Sequence, residues 1–572
     1  MASIVSRIVA IVGLLILIGL LPWLTTSSPE YTVLRARYSE LPVTEENLAA
    51  VREQLGLDRG PVAIFGSWVG GILRGDLGTS WVSGAPVGPG MIQALGVSLT
   101  LMAIALSISL CVAVLLCAPT IYRGVRGCPA RGSGALAVAL TALPEFLLAT
   151  VFLLVGAVWL GWFPPYGWRD FSYAVLPALS LGVPAGGYLG RLLSDALADA
   201  FRERWVDTWR QVGVSGTRLL AAVTRRALPG VFSQVGLTVV GMTGGAVAVE
   251  QVFAIPGLGR ATLGAAAAQD IPALQAGVLL LLALAVTVGV ICEVLRRQLL
   301  GPAHALQSAP VPNPAAYRRR RDYIVPALSG GLLAVMIVAG IGRDPYSTSH
   351  GRLEPPSWRL PFGSDSSGRD LLGRVAHGAL GTVGTALLVV VSCLLIGLLV
   401  GLAGRAGTGF MEVANAAPPI IAGLIMAALT GPSLYGAAIA VALVSWAPLA
   451  AHTAALVEEA KSRPYIAMLP LLGTGPVRTM THHVIPVVLP ALVRHAVLRL
   501  PGTTLAIASL GFLGLGASPP TPEWGLILSG AVDYAQRAPW AVVSSASALV
   551  LVSVLAVSLT SLPPRARRKC PR

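Results

Sequence analysis

The side chains that could do metal or acid–base chemistry are few and scattered. The chain has 572 residues and seven histidines, of which only His482 and His483 are neighbours. Adjacent side chains on a helix point about 100° apart, so this pair would chelate a metal poorly without other ligands. No CxxC or Cys/His metal spacing accompanies it. We therefore expect no metal site, and we interpret His483 as a residue with a docking or structural role.

The sequence also lacks the pattern of a site that hydrolyses nucleotides. Lysine occurs only at 461 and 569, and neither position follows the G-x-x-x-x-G-K-[ST] pattern that cradles phosphates. Paired acids with a histidine, or a serine with a base, are not apparent either. We predict that the chain is not an enzyme, has no catalytic residues and binds no cofactor of its own.

Two carboxylates stand in or at the end of apolar runs. Glu145 follows Pro144 inside one run, and Glu250 ends another. A carboxylate at membrane depth is costly and usually functional. Glu145 could line a pathway or be a buried, paired acid, whereas the place of Glu250 favours a structural role.

Composition identifies the solvent that these runs face. Apolar residues make up 55% of the chain, charged residues 12%, and the mean hydropathy is +0.74. A soluble protein carries about 25% charged residues. These values exclude disorder and predict an all-α polytopic membrane protein. Segments of about 20 apolar residues occur at 4–24, 95–119, 134–160, 173–193, 229–252, 273–295, 323–341, 379–404, 412–430, 435–456, 486–507 and 538–562.

The net charge of +15 indicates orientation rather than nucleic-acid binding. Arginines concentrate in alternate loops, whereas residues 25–94 hold five arginines against seven acids. Because cytoplasmic loops carry the positive excess, we expect both termini in the cytoplasm. We predict two six-span halves, 1–295 and 323–562, joined by an Arg-rich linker at 296–322 and followed by a basic tail at 563–572.

The two halves repeat each other. Trp205 and Gly213 match Tyr465 and Gly473 at an offset of 260 residues, and the sequence from Arg226 to Pro229 matches that from His483 to Pro486 at 257. In each loop we predict a helix, a glycine break, a short helix, and then a basic residue and a proline that begins the next span. A third match pairs the sequences PGLG at 256–259 and LGLG at 513–516, also at 257.

At these positions the chain resembles a known family. The Gly…His-x-x-Pro loop is similar to the "EAA" loop of ABC importer permeases, and other stretches narrow the resemblance to the dipeptide/oligopeptide/nickel permeases. The first half resembles the B-type subunit in LGLD (55–58), RGDLGTS (74–80), WFPP (162–165) and VFAIPGLG (252–259). The second half resembles the C-type subunit in FGSDSSGRDLL (362–372) and SLGFLGLGASPPTPEWG (509–525).

The resemblance implies a type I importer permease with both subunits fused in one chain, in the plasma (inner) membrane of a bacterium. Such a permease moves peptides or related solutes, nickel or metal chelates among them, by alternating access. Its implied partners are cytoplasmic ATPase subunits (two copies or a fused pair) that hold ATP and Mg, an extracytoplasmic solute-binding protein, and the lipid bilayer. The implied ATPase-coupling residues are Trp205, Asp207, Arg210, Gly213, Gly216, Arg226, Pro229, Tyr465, Gly473, Gly475, His483 and Pro486. The implied gate and packing residues are Pro256, Gly257, Gly259, Gly514, Gly516 and Trp524.

Departures from the family pattern concentrate in the second loop. Ala467 stands where the family has an acid, Pro470 interrupts a helix, and Ile507 replaces a frequent Glu. These changes bear on how strongly the second loop couples to an ATPase. The alternative interpretations are a twelve-span ion-coupled secondary transporter, which the scarcity of intramembrane acids disfavours, and a membrane-embedded enzyme.

Overall fold

The computed structural model describes residues 2–25, 29–38, 40–128, 135–141, 143–300, 323–403, 411, 414 and 419–560. Within these residues the regular structure is helical apart from two isolated β-bridges. A helix satisfies its backbone polar groups within one segment, and this is what a bilayer requires of a spanning chain. The predicted all-α fold is confirmed.

Every predicted span contains a helix. In the described part of the chain, seven helices are long and apolar enough to cross a membrane: Val87–Val125, Gln234–Val252, Ile271–Cys292, Leu371–Leu402, Leu434–Lys461, Pro476–Phe512 and Pro539–Leu559. Shorter apolar helices cover three more segments: Glu145–Trp159, Ile324–Gly340 and Pro419–Thr430. The helices Ala2–Gly19 and Phe171–Ala200 cover the remaining two.

The first half of the chain holds the helices α1 to α13. These are α1 Ala2–Gly19, α2 Leu21–Leu24, α3 Pro29–Arg37, α4 Glu45–Leu55, α5 Gly60–Leu73, α6 Val87–Val125, α7 Ala135–Thr141, α8 Glu145–Phe152 (continued by a π-helix, Leu153–Trp159), α9 Phe171–Ala200, α10 Arg204–Gln211, α11 Gly216–Val252, α12 Leu258–Ala267 and α13 Ile271–Leu300.

The second half holds the helices α14 to α23. These are α14 Ile324–Gly340, α15 Leu371–Leu402, α16 Pro419–Thr430, α17 Leu434–Ser445, α18 Ala447–Lys461, α19 Pro464–Met468 (continued by a 3-10 helix, Leu469–Leu472), α20 Pro476–Thr479, a π-helix Met480–Val484, α21 Ile485–Phe512, α22 Trp524–Val532 and α23 Pro539–Thr560.

Several predicted boundaries shift. Residues 301–322 of the linker and the whole basic tail lie outside the described residues, whereas α13 continues the first half to Leu300. In the segment 412–430 the described helix begins only at Pro419, and Glu412 lies outside the described part. The linker and the tail therefore stay predictions.

The chain forms two compact units, which do not follow chain order. Unit 1 comprises Met1–Gly96, Gly257–Ala283 and Ala339–Ser545. Unit 2 comprises Val97–Pro256, Leu284–Val338 and Ala546–Arg572. The central helices of the first half therefore lie in unit 2, and those of the second half lie in unit 1.

In unit 2, glycines let two long helices approach closely. Gly182, Gly186 and Gly190 recur at four-residue spacing on α9. A Cβ atom on Gly186 would lie 2.7 Å from the Ser109 carbonyl oxygen of α6, and one on Gly190 would lie 3.0 Å from Ala113 Cα. Small residues at this spacing are a common way for membrane helices to pack.

In unit 1, the corresponding contact uses glycines on the other helix. Gly397 and Gly401 lie on α15, and a Cβ atom on Gly401 would lie 2.7 Å from the Ala450 carbonyl oxygen of α18. Ala113 corresponds to Gly397 at an offset of 284 residues, and Gly190 corresponds to Ala450 at 260. The two halves thus make the same helix contact. In the first half the glycines lie on α9, the later helix of the pair, and in the second half they lie on α15, the earlier helix.

The segment 25–94 is fastened within unit 1 by buried polar contacts. Asp270, at the start of α13, accepts hydrogen bonds from the Ser80 hydroxyl and, at 3.0 Å, from the Trp81 backbone N–H. Because an unpaired buried polar group is costly, these bonds fix this segment to the start of α13. Gln275 of α13 also donates to the Ile18 carbonyl at 2.7 Å, which ties α1 to the same helix.

Candidate functional site

The first candidate site is the segment 205–226, which we name the first connecting segment. Its root is Val206, which is fully buried in a cluster with Leu197 of α9 and with Leu219 and Val223 of α11. This apolar contact fixes α10 against the adjoining ends of α9 and α11. That these ends face the cytoplasm stays a prediction.

The second connecting segment, residues 465–483, has the same construction. Its root is Ile466, 3% exposed, which packs with Val457 of α18, with Val484, and with Val488 of α21. Val206 and Ile466, like Leu197 and Val457, are 260 residues apart, whereas Ala227 and Val484 are 257 apart. The buried clusters therefore carry the repeat that the sequence showed.

The glycine breaks lie where the repeat predicts them. Gly213 has φ +82° and Gly473 has φ +76°, a backbone conformation that favours glycine. Gly216 is restricted for another reason, since a Cβ atom there would lie 2.7 Å from Val125 Cγ1. Gly475 has open space around its Cβ position.

The prediction that Pro229 begins a span is wrong. The helix α11 runs without interruption from Gly216 to Val252, with Pro229 inside it. Neighbouring helices let membrane helices tolerate an internal proline. Pro486, by contrast, lies in the first turn of α21, although a π-helix leads into it.

Polar contacts fasten the first connecting segment. Glu203 Oε2 accepts a hydrogen bond from Trp205 Nε1 at 2.7 Å, and Glu203 Oε1 lies 3.2 Å from Arg226 Nε. Arg210 pairs with Asp207 at 2.8 Å and also donates to the Gly124 carbonyl in the last turn of α6. Trp205 and Trp209 form an edge-to-face pair with ring centroids 5.3 Å apart.

The second connecting segment has no equivalent of this fastening among its described residues. Arg463 corresponds to Glu203, and His483 corresponds to Arg226, so both positions are basic. Arg463 instead lies 3.6 Å from Glu459 within its own helix turn. The second segment depends on its apolar root.

Each segment exposes apolar side chains at its tip. In the first, Val212 is 76% exposed and Trp209 is 38% exposed. In the second, Leu471 is 84% exposed, and Leu472, Val477, Tyr465 and Met468 are exposed with it. Contiguous exposed apolar groups are typical of surfaces that contact another protein or a membrane.

The predicted gate residues belong to two local arrangements. In unit 2, Ile255 is fully buried before Pro256, and its N–H donates to the Glu250 carbonyl at 2.9 Å. In unit 1, Gly257 precedes α12, and Gly259 is buried in its first turn. Nothing further links these residues to a gate, and that role stays a prediction.

In the second half, the loop after α21 is closely packed. Trp524 is fully buried, and its Nε1 donates to the Val375 carbonyl at 2.8 Å. A Cβ atom on Gly516 would lie 2.8 Å from Gly511 Cα. Gly514 differs from the packing role that we expected, because its surroundings are open and its φ of +74° is what requires glycine.

The comparisons with known proteins identify the family. The model of the binding-protein-dependent transport system inner membrane component matches residues 115–301 and again residues 393–568. The chain belongs to this family. It carries two permease domains in one polypeptide, which agrees with fused B-type and C-type subunits.

Individual relatives have the length of one permease domain with its flanks. The di/tripeptide transport system permease protein DppC of Pseudomonas aeruginosa is 40% identical over 221 residues, which are 36% of this chain and 73% of that protein. A putative peptide transport system permease protein of Brucella abortus is 31% identical over 265 residues, 44% of this chain and 82% of that protein. This is a multi-pass permease component of a binding-protein-dependent ABC importer.

Within this permease, the two intramembrane acids differ. Glu250 is fully buried and accepts a hydrogen bond from Ser98 of α6 at 2.5 Å. Glu145 begins α8 and is partly buried, and the Cβ position of Gly245 lies 3.3 Å from its Cγ. Among the described residues no ion pair is found for Glu145, and both interpretations of it stay predictions.

The sequence did not single out Glu523. Its carboxylate caps α22, accepting from the backbone N–H groups of Gly525 at 2.9 Å and Leu526 at 2.8 Å, and Thr382 of α15 donates to it at 3.1 Å. Full burial raises the pKa of Glu523 to about 7, and these hydrogen bonds offset only part of that rise.

Glu523 and Glu250 take comparable roles in the two halves. Thr382 lies 284 residues after Ser98, the same offset that relates the α6 and α15 glycine contacts. Each hydroxyl therefore donates to a buried carboxylate. In the first half this is Glu250 of α11, whereas in the second half it is Glu523 of the loop before α22. The feature of the sequence that could have pointed to Glu523 is an acid directly before a tryptophan in a glycine- and proline-rich loop.

Proposed function

We propose that this chain is the whole membrane permease of a peptide-importing ABC transporter, and that separate ATPase subunits drive it. The observation that carries the proposal is the repeated construction of the connecting segments. Each is rooted by one buried aliphatic residue, Val206 or Ile466, and each exposes apolar side chains at its tip. Two such surfaces suit two nucleotide-binding subunits or a fused pair.

The mechanism follows from the rigidity of these parts. ATP and Mg would be held by the ATPases, because the chain has no phosphate-binding glycine loop. Closure of the ATPases would draw the two tips together. Since α9 and α11 share one buried cluster with Val206, motion of the tip would be passed to spans rather than absorbed in a loop. The result would be alternating access.

The arginine distribution supports cytoplasmic termini and cytoplasmic connecting segments. On that orientation, residues 25–94 and 342–377 face outward, where they would receive an extracytoplasmic solute-binding protein. Reporter fusions after Leu73 and after Leu472 test this directly. If the reporter after Leu472 is found outside the cell, the proposed orientation is wrong.

Peptides are the proposed solute class. Both relatives named above are described as peptide transport permeases, whereas nickel has no comparable support. Uptake of labelled di- and tripeptides against chelated nickel in a deletion strain tests the choice. Peptide uptake restored by the chain with its ATPases supports it, and restoration of nickel uptake alone contradicts it.

Cysteine crosslinking tests the docking surfaces. The exposed Cys111 and Cys128 are first replaced by serine. Val212→Cys and Gly475→Cys then place thiols at exposed positions, and Gly475 has room for the new side chain. Gly216 is a poorer position because a Cβ atom there would press on Val125.

Both thiols should trap a co-expressed ATPase through a short bifunctional crosslinker. Val62→Cys is the control, since Val62 is 84% exposed but lies in the segment assigned to the outside. Crosslinking at neither Val212→Cys nor Gly475→Cys in an active complex would exclude docking at these segments.

A further inference from the structure

A cavity of about 350 Å³ lies within unit 1, between the segment that precedes α15 and the short helix α22. Its walls include charged groups from both sides. Asp365, Arg369 and Arg374 come from the first, and Asp533 comes from the end of α22. None of the connecting-segment residues belongs to it.

Arg374 is the unusual member of this cavity. It lies in the first turn of α15, is 3% exposed, and its Nε and Nη1 atoms have no hydrogen-bond partner among the described residues. A buried charged donor without a partner carries a large desolvation penalty. A guanidinium in this position is suited to a ligand that supplies acceptors.

The neighbouring acids are already engaged. Asp365 Oδ2 lies 2.8 Å from Arg369 Nε but 3.6 Å from Arg374 Nε, beyond hydrogen-bond distance. Asp365 Oδ1 accepts from the backbone N–H groups of Ser367 and Arg369. Asp370 pairs with Arg343 at 2.6 Å.

The charges of the cavity therefore leave Arg374 only partly compensated. Asp365 binds Arg369 directly and comes no closer to Arg374 than 3.6 Å. Asp533 is exposed, so water and salt screen its charge. Arg374 remains as a buried positive charge facing an open volume.

We propose that this cavity is a carboxylate-binding site, with Arg374 as the group that grips the ligand. A planar guanidinium can bind both oxygens of a carboxylate. Resting on the proposed peptide importer, the carboxylate would come either from the C-terminus of a peptide or from an acidic side chain of the solute-binding protein. Both present the same chemistry to the same cavity.

The first test measures peptide binding to the full-length permease with its ATPases in lipid nanodiscs. Dialanine and its C-terminal amide are titrated calorimetrically against wild type, Arg374→Gln and the control Arg537→Gln. Arg537 is an exposed arginine that follows α22 but does not line the cavity. Arg374→Gln should weaken dialanine binding at least tenfold, whereas Arg537→Gln should not.

The second variant keeps Arg374 and fills the cavity instead. Gly530 lines the cavity, and nothing lies within 4 Å of its Cβ position, so Gly530→Leu should fold normally. It should weaken the same binding. If Arg374→Gln fails to fold, Gly530→Leu therefore still tests the proposal.

The outcomes distinguish the two sources. If both variants weaken dialanine binding, and the amide binds weakly to wild type and to both variants, the site binds peptide carboxylates. If dialanine does not bind but both variants weaken docking of the solute-binding protein tenfold, the carboxylate belongs to that protein. Equal affinities in wild type and variants, no binding of either partner, or an amide as tight as the free peptide would overturn the proposal. Crosslinking and uptake report on the proposed function separately.

Discussion

The carboxylate of Glu203 and the guanidinium of Arg226 form an ion pair, with 3.2 Å between Oε1 and Nε, that closes the first connecting segment. The same carboxylate holds Trp205. In the second connecting segment the corresponding residues, Arg463 and His483, cannot pair in this way. The two halves therefore fasten their connecting segments by different means, and the difference can be tested.

Glu203→Gln should reduce transport coupling more than stability. Both partners are partly exposed, and such pairs contribute at most about 1 kcal/mol to unfolding. The loss of the pair would nevertheless remove a link between the start of α10 and the third turn of α11. We expect a nearly unchanged melting temperature with less uptake per ATP hydrolysed. Glu459→Gln, which removes only a 3.6 Å pair, is the control; an equal effect of both would contradict the assignment.

Substitutions at the buried Ile466 and at the exposed Leu471 should separate effects on stability from effects on ATPase docking. Ile466→Ala removes a buried side chain and should cost about 2–5 kcal/mol in unfolding free energy. Leu471→Ala removes an 84% exposed side chain and should leave stability within about 0.5 kcal/mol. Thermal unfolding measures the first effect and ATPase affinity the second. Undiminished ATPase binding by Leu471→Ala would argue against docking there.

Glu523 should make stability depend on pH. Its pKa of about 7 in the folded protein exceeds that of an unfolded glutamate, about 4.3. The raised value means that ionised Glu523 opposes folding. Stability should therefore fall as the pH rises from about 4.3 to 7, and then level off.

Glu523→Gln should remove this component while its amide oxygen can still cap α22. The melting temperature of Glu523→Gln relative to wild type should rise between pH 5 and pH 8. Asp533→Asn, an exposed carboxyl at the other end of α22, should show no such trend. A difference that shrinks with rising pH would contradict the assigned cause.

Two glycines on α21 should respond oppositely to alanine. A Cβ atom on Gly511 would collide with the Glu523 carboxylate, which is held by three hydrogen bonds. Gly511→Ala should destabilise the protein by about 1–3 kcal/mol. Gly502 has no atom within 4 Å of its Cβ position, so Gly502→Ala should be neutral or stabilise by up to about 1 kcal/mol. Equal melting temperatures for the two variants would refute the packing argument.

Much of the fold could be predicted because membrane insertion depends on local composition. Twelve apolar segments were visible as runs of suitable length, and each contains a helix. The glycine breaks at Gly213 and Gly473 were equally visible, since a left-handed backbone needs glycine whatever surrounds it. Pro229 was misplaced because sequence alone does not show whether a neighbouring helix supports an internal proline.

The candidate sites depended more on contacts between distant residues. Glu203 attracted no notice in the sequence, because its importance lies in a partner 23 residues away. Arg374 attracted no notice either, because it lies just beyond the family motif at 362–372. Its Nε lacks a hydrogen bond because Asp365, which the sequence places nearby, binds Arg369 at 2.8 Å and lies 3.6 Å from Arg374.

The sequence by itself determined a helical membrane permease of two repeated halves, because hydropathy, arginine placement and motif spacing are properties of the chain alone. Only the tertiary structure decided which residues root the connecting segments, which helix of each pair supplies the glycines, and which carboxylates meet Ser98 and Thr382. These choices depend on side chains hundreds of residues apart competing for the same buried volume. Either partner of a close contact can be the small one, and either loop can supply the acid, so folding has to select among them.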